Sequence, residues 1–185
     1  GLAYGSQALG RQGGLPVLAV DTLLALDDEA CHQRRQAQQP LPRHVVALLD
    51  ARMGELYVAV YTCSPDQGLQ ALAPPRLCAP QDLGAWLAAT LPPPNPAADG
   101  AALLLAGNVF TAYPNLMADL PRGWGLPTEG GSGAVPLNLL PTATALLRLA
   151  PGLLAAGAAV AAGDALPLYV RDKVARTTAE REGAP

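Results

Sequence analysis

The sequence has few aromatic and few charged residues for its 185-residue length. Phe, Trp and Tyr make up 4% of the chain and Asp, Glu, Lys and Arg 15%, whereas apolar residues account for 50%. A disordered chain has the opposite composition, so the sequence predicts a folded core in one domain or two small lobes. The formal net charge is −3. This charge argues against a large basic surface, and we do not expect a protein that binds nucleic acid by neutralising many phosphates.

The three cysteines, Cys31, Cys63 and Cys78, form no CxxC or CxxxC pair. Because their number is odd, we expect mostly reduced cysteines that act as small apolar residues in a cytoplasmic protein. The sequence does not open with a basic stretch followed by an apolar run, so the pattern of a signal peptide is not seen. The most membrane-like segment is 139–163, but Arg148 and Pro151 interrupt it. We therefore expect a buried or packed helix there and no membrane association.

Short apolar runs bounded by turn residues predict the strands. They lie at residues 15–20, 44–49, 55–61, 69–77 and 101–106, with a further extended segment at 166–171. Pro74 and Pro75 place the 69–77 strand at a sheet edge, because proline cannot donate to a ladder. The Gly-rich segment 123–136 is predicted to be a loop with at most one short strand.

Apolar residues at helical spacing predict the helices, at 22–32, 80–91, 109–120 and 142–156. Asp21 can cap the first, whose acidic residues 27–29 are expected on the face opposite its leucines. The polar segment 33–42 is expected to be a linker, and Pro114 would break or restart the third helix. The order β-α, linker, β-β-β-α-β-α-(β)-α is typical of the ribonuclease-H-like lobe that actin-like proteins use twice.

The segment Asp50-Ala51-Arg52-Met53-Gly54-Glu55 has the composition of a hairpin turn. Asp50 can accept hydrogen bonds from the backbone amides of the turn, and Gly54 can adopt a positive φ. Arg52 and Glu55 can pair across the turn. A second interpretation is that this turn borders a nucleotide cleft between two lobes, but no phosphate loop accompanies it, and we favour the structural interpretation.

The same segment resembles the "DARMGEVY" stretch of the bacterial TsaB family, also known as YeaZ. Two further stretches agree in order and spacing. Residues 1–5 and 15–23 resemble the family's "GLA.G…LPv.gVsTL", and residues 164–171 resemble its closing "a.PvYlR". The matches span nearly the whole chain. Two departures are the absence of the family's "ILaIDTS" strand and of its "GPGSFTGlR" segment.

The resemblance implies an α/β fold: an actin-like (ASKHA), ribonuclease-H-like lobe with a mixed sheet and flanking helices. It also implies a division of the chain. Residues 1–39 are expected to be the tail of a first lobe, 40–175 a second lobe, and 176–185 a flexible tail. Since the sequence opens on Gly1, we expect that most of the first lobe is missing, and with it most of the partner surface of the family.

The function implied by the resemblance is that of a non-catalytic partner in forming N6-threonylcarbamoyladenosine at position 37 of tRNA. In that system a TsaD-type subunit transfers the threonylcarbamoyl group, a TsaE-type ATPase assists, and TsaB supports TsaD as a pseudo-symmetric heterodimer. We expect contact with tRNA only through the partners. The alternative is a small ASKHA-type ATPase or kinase, or a glycoprotease-like peptidase, that uses the inter-lobe cleft. A homodimer is a weaker third alternative, and without the first lobe, through which family members self-associate, this chain should form one poorly.

The sequence predicts no catalytic residue, no cofactor and no metal site. His32 and His44 lie on opposite sides of the polar segment rather than at the i, i+4 spacing of a helical metal pair. The glycines at 130–133 are not followed by the Gly-Lys-Ser/Thr of a phosphate loop. Tyr169 and Arg171 lie on an extended segment and form an aromatic–arginine pair typical of interfaces, although an ordinary edge strand explains them equally well.

Overall fold

A computed structural model describes residues 15–64, 68–92, 103–118, 120, 135–166 and 170. Five strands form one sheet: β2 (His44–Arg52), β3 (Glu55–Ser64), β4 (Gly68–Cys78), β5 (Leu103–Gly107) and β6 (Val135–Asn138). Their spatial order is β4-β3-β2-β5-β6. The first three form an antiparallel meander, whereas β5 runs parallel to β2 and β6 parallel to β5. The sheet is therefore mixed, as predicted.

Strand β4 lies at one edge of the sheet, which confirms the position predicted from its two prolines. Its register against β3 shifts on either side of Val60, and the shift between Val58 and Val60 falls where Pro74 and Pro75 occur in β4. Proline removes a ladder donor, and an edge strand tolerates this because its outer side needs no partner strand.

Both faces of the sheet are buried, and each face has its own apolar cluster. On one side lie helix α2 (Leu83–Thr90), residues 109–118 and Leu120, and on the other lies helix α1 (Thr22–Gln36). Within β2, Val46 and Leu48 contact the first cluster and Val45 and Ala47 the second. This alternation is the period of two expected for a strand. The continuous apolar run of β2 thus follows from its burial on both sides.

Helix α1 differs from its prediction in two respects. It extends to Gln36, so the first four residues of the predicted linker are helical. Of the three acidic residues expected on the polar face, Asp27 is fully buried and Glu29 is buried as well. Because Asp27 is four residues from both Leu23 and Cys31, it falls within the stripe that faces the sheet. The helix packs on the sheet of the predicted second lobe, and the predicted division near residue 39 stays a prediction.

Two further segments differ from prediction, and a third takes one of its two predicted forms. Residues 15–20 contribute only a two-residue strand, β1 (Val17–Leu18), half-buried and paired with β7 (Ala159–Val160). Residues 109–118 form successive turns rather than a helix, since Pro114 interrupts the hydrogen-bond ladder. Helix α3 (Ala143–Ala155), predicted to be buried or packed, is packed against α1 and not buried: among its residues only Ala145 is buried, and Leu147 is 72% exposed.

Helices α1 and α3 are joined by an ion-pair cluster. Arg148 donates from Nε to Asp28 and from Nη2 to Glu29, each at 2.7 Å. The Thr142 hydroxyl, which also caps α3, donates to the same Glu29 oxygen as Arg148, Oε2, at 2.8 Å. Burial alone would raise the pKa of Glu29, but the hydrogen bonds from Arg148, Thr142 and Gln33 outweigh it, and the pKa lies below its ordinary value.

Among the described residues, no helix has the length and apolar character needed to cross a membrane.

Replacing Gly107 by alanine is expected to lower the free energy of unfolding by at least about 3 kcal/mol. An added Cβ would overlap the carbonyl oxygen of Leu48 and lie 2.7 Å from its carbonyl carbon, on the neighbouring strand. Urea denaturation followed by circular dichroism measures the change. Gly152→Ala is the control, because nothing lies within 4 Å of its Cβ position and alanine favours a helix. Equal stability of the two variants would contradict the close approach of β2 and β5.

Replacing Arg148 by methionine is expected to cost about 2 kcal/mol at pH 7, because it removes two charge-assisted hydrogen bonds. The pKa of Glu29 is lowered in the folded state, so the stabilisation is complete above the ordinary pKa of 4.5 and is lost as the pH falls through the folded value. The difference between the two proteins should therefore shrink in acid. The control is Arg52→Met, which removes an exposed pair with an N–O distance of 3.8 Å. A difference that stays constant down to pH 3 would be inconsistent with this assignment.

Candidate functional site

The carboxyl ends of the three parallel strands meet at one edge of the sheet. Strand β2 ends beyond Asp50, β5 ends at Gly107 just before Asn108, and β6 ends at Asn138. In open α/β sheets, ligands and partners commonly bind at this edge, since the loops that follow the strands converge there. The predicted Asp50–Glu55 turn lies at the same edge because it connects β2 to β3.

Asp50 organises this edge through hydrogen bonds in two directions. Within the turn, its Oδ1 accepts from the backbone N–H of Arg52 at 2.9 Å, and its Oδ2 lies 3.8 Å from the Arg52 guanidinium. Across the sheet, its own backbone N–H donates to the side-chain oxygen of Asn108 at 3.0 Å. The Tyr113 hydroxyl donates to Oδ1 at 3.5 Å. The carboxylate is therefore engaged by the turn and by the segment after β5.

The electrostatic interaction between Tyr113 and Asp50 agrees with this geometry. Partial burial, the Asp50 charge and the hydrogen bond to Asp50 raise the pKa of Tyr113. The phenol thus stays protonated near neutral pH and acts as a donor. The arrangement fixes the position of the turn, which is the structural interpretation favoured by the sequence.

The turn itself has an unusual backbone. Arg52, Met53 and Gly54 all have positive φ, at 64°, 55° and 76°. Gly54 was predicted to do so, but the other two residues carry side chains that make this conformation costly. Both project into solvent: the Arg52 side chain is 87% exposed and Met53 73%. Strain of this kind is concentrated at functional sites, which makes the tip of the turn a candidate contact surface.

The predicted site residues divide into two groups. Asp50, Arg52, Gly54 and Glu55 lie together at the turn, and Arg52 is opposite Glu55 in the β2–β3 register. Tyr169 and Arg171 lie outside the described residues. The sequence did not single out Asn108 and Tyr113 as partners of Asp50. The one signal available was that Asn108 directly follows the glycine that ends a buried strand.

A cavity of about 630 Å³ lies beside the start of α1. Its lining is mostly apolar and includes Val20, Leu49, Tyr57 and Leu166, with Asp21 and Thr22 as polar members. Asp21 is already engaged, since it accepts from the backbone N–H of Leu23 at 2.8 Å and from the Tyr61 hydroxyl at 3.2 Å. Across the described ranges, no three His, Cys, Asp or Glu side chains are grouped so that they could hold a metal ion.

Comparison with known proteins identifies relatives among the solved structures. Neither a family model nor a curated protein matches the chain. An uncharacterized protein with similarity to peptidase YeaZ from Pseudomonas aeruginosa superposes with a TM-score of 0.62 at 28% identity, over 91% of this chain and 63% of that one. YeaZ from Pseudomonas aeruginosa superposes with a TM-score of 0.60 at 28% identity, over 90% of this chain and 62% of that one. The chain thus spans less than two thirds of the length of these relatives.

The strand order, the helices on both faces and these relatives define an α/β protein of the actin-like, ribonuclease-H-like class. The predicted fold class is confirmed. More particularly, the chain has a YeaZ (TsaB)-like fold, and the resemblance inferred from the turn and its flanking motifs is confirmed as well.

Replacing Met53 by asparagine is expected to raise the free energy of unfolding by up to about 1 kcal/mol, because asparagine tolerates a positive φ better than methionine. Met53→Ala is the matched control: it removes the same apolar side chain without this tolerance and should be close to neutral. Thermal and urea unfolding measure both. A loss of stability in the asparagine variant would contradict the described turn.

Proposed function

We propose that this chain acts as a TsaB-type, non-catalytic partner of a TsaD-type transferase that forms N6-threonylcarbamoyladenosine at position 37 of tRNA in the cytoplasm. The observation that carries the proposal is the YeaZ-like fold, with 28% identity over 91% of the chain. A TsaE-type ATPase is the second proposed partner. The net charge of −3 suits a subunit that leaves contact with tRNA to the others.

The proposed partner contact on this chain is the tip of the Asp50–Glu55 turn, together with Tyr169 and Arg171. Arg52 and Met53 extend into solvent at the tip, and Asp50, held by Asn108 and Tyr113, fixes the base of the turn. An arginine beside an exposed apolar side chain on a preorganised turn is a combination that interfaces favour, because little further ordering is needed on binding.

Deletion of the gene is expected to remove most of the threonylcarbamoyladenosine from tRNA, as measured by mass spectrometry of nucleosides. The tagged protein is expected to co-purify with the TsaD-type transferase. The double variant Arg52→Glu, Met53→Asp should reduce the recovered transferase at least tenfold, since it reverses one charge and adds another at the contact. Leu72→Asp, at a 45% exposed position on the edge strand, is the control and should leave recovery unchanged.

Two outcomes distinguish the parts of this proposal. A deletion strain with a normal level of the modification would contradict the function itself. Normal recovery of the transferase with the double variant, in a strain whose modification depends on the protein, would contradict only the assignment of the contact surface.

The second candidate is an ATPase, kinase or peptidase that uses the cleft beside Asp50. The description of one relative as similar to peptidase YeaZ favours it. It predicts micromolar ATP binding by calorimetry, or peptide hydrolysis, that Asp50→Asn abolishes while the melting temperature is retained. The partner proposal predicts neither. Turnover that depends on Asp50 would therefore favour this candidate over the first.

A further inference from the structure

We propose that Cys31 and Cys63 form a dithiol site that closes to a disulfide when the protein meets a hydroperoxide. The two residues are 32 positions apart in sequence, one on α1 and one on β3, and their sulfur atoms lie 3.7 Å apart. A disulfide bond is about 2.05 Å long, so the sulfurs need to approach by less than about 2 Å. The structure therefore places two thiols in position to react with each other.

The backbone around the pair is held on both sides. Cys63 donates its backbone N–H to Arg43 at 2.9 Å and pairs with Leu69 of β4. Cys31 lies in the middle of α1, on the stripe that faces the sheet. Because both backbones are held by these hydrogen bonds, closure is expected to come from rotation of the two side chains.

The two thiols differ in their roles. Cys63 is the penultimate residue of β3 and is 9% exposed, whereas Cys31 is 1% exposed. The hydrogen bond from the Cys31 thiol lowers the pKa of Cys63, and the same contact together with burial raises the pKa of Cys31. A small oxidant thus meets Cys63 first, in the more readily ionised form, and Cys31 is the resolving thiol.

The buried carboxyl of Asp27 lies one helical turn before Cys31. Burial raises its pKa well above the ordinary value, with smaller contributions from Asp21 and Cys63. Neither of its oxygens has a hydrogen-bond partner within the described part of the chain. Because burial favours the neutral carboxyl, Asp27 opposes formation of the Cys63 thiolate less than an ordinary aspartate would.

The reaction is balanced with hydroperoxide as the oxidant. The Cys63 thiolate attacks one peroxide oxygen, the O–O bond breaks, and the leaving oxygen takes up a proton to form water or an alcohol. The resulting sulfenic acid is attacked by the Cys31 sulfur. The S–S bond forms, the S–O bond breaks, and water leaves with the thiol proton. Two thiols lose two electrons, and the peroxide is reduced.

The third cysteine provides an internal control. Cys78 is also buried, but it belongs to the apolar cluster on the opposite face of the sheet, and its thiol donates to the Ala79 carbonyl at 3.3 Å. Burial raises its pKa. We therefore expect Cys78 to remain a thiol while the other two cysteines react.

The test is titration of the reduced, folded protein with hydrogen peroxide, followed by alkylation in denaturant, intact mass measurement and peptide mapping. The expected product has lost two hydrogen atoms, retains one alkylatable thiol, and yields a peptide pair that links Cys31 to Cys63. Dithiothreitol should restore all three thiols. Cys78→Ser should oxidise at an unchanged rate and retain no thiol.

Cys31→Ser should stop at a Cys63 sulfenic acid, which dimedone traps. The proposal would be overturned if the wild-type protein kept all three thiols at a tenfold excess of peroxide. A link through Cys78, or direct conversion of Cys63 to a sulfinic acid in that protein, would overturn it as well. The wild-type peptide map decides the question even if the serine variant does not fold. Oxidation of the urea-unfolded protein supplies the comparison, since it should yield mixed pairings.

Discussion

The burial of strand β2 on both faces is the constraint on which the rest of the structure depends. A strand without a solvated side needs cover above and below, and α1 supplies one layer while α2 and the turns at 109–118 supply the other. It also needs neighbours on both edges, which are β3 and β5. The approach of β5 is close enough that only glycine fits at position 107. The edge where Asp50 and Asn108 meet is a consequence of this arrangement.

Much of the sheet could be predicted from the sequence because its signals are local. Apolar runs indicated β2, β3 and β5, and two prolines placed β4 at the edge. The burial of Asp27 could not be predicted, since the residue looks polar in isolation and only the packing of α1 on the sheet decides which stripe is covered. The choice between a buried and a packed α3 could not be made for a related reason: its apolar composition is compatible with both, and only its position against α1 leaves most of it exposed.

The candidate site shows the same division between local and long-range information. Asp50 and Gly54 could be assigned to a turn because their roles in it depend only on residues a few positions away. Asn108 and Tyr113 contact Asp50 from 58 and 63 residues away. Those contacts exist because β5 lies parallel and adjacent to β2, and no pattern in either strand specifies that neighbour. The sequence therefore predicted the turn but not the residues that hold it in place.

The β2–β3 hairpin carries the turn at one end and Cys63 near the other. Eight residue steps of about 3.4 Å separate Glu55 from Cys63 along β3, a distance of roughly 27 Å. Paired residues from His44–Thr62 to Asp50–Leu56 fill the intervening ladder. A disulfide to Cys31 would tie α1 to the far end of this ladder, where it constrains the packing of helix on sheet and leaves the Asp50 hydrogen bonds unchanged. Oxidation of the dithiol and partner contact at the turn are thus physically separable, and each proposal stands or fails without the other.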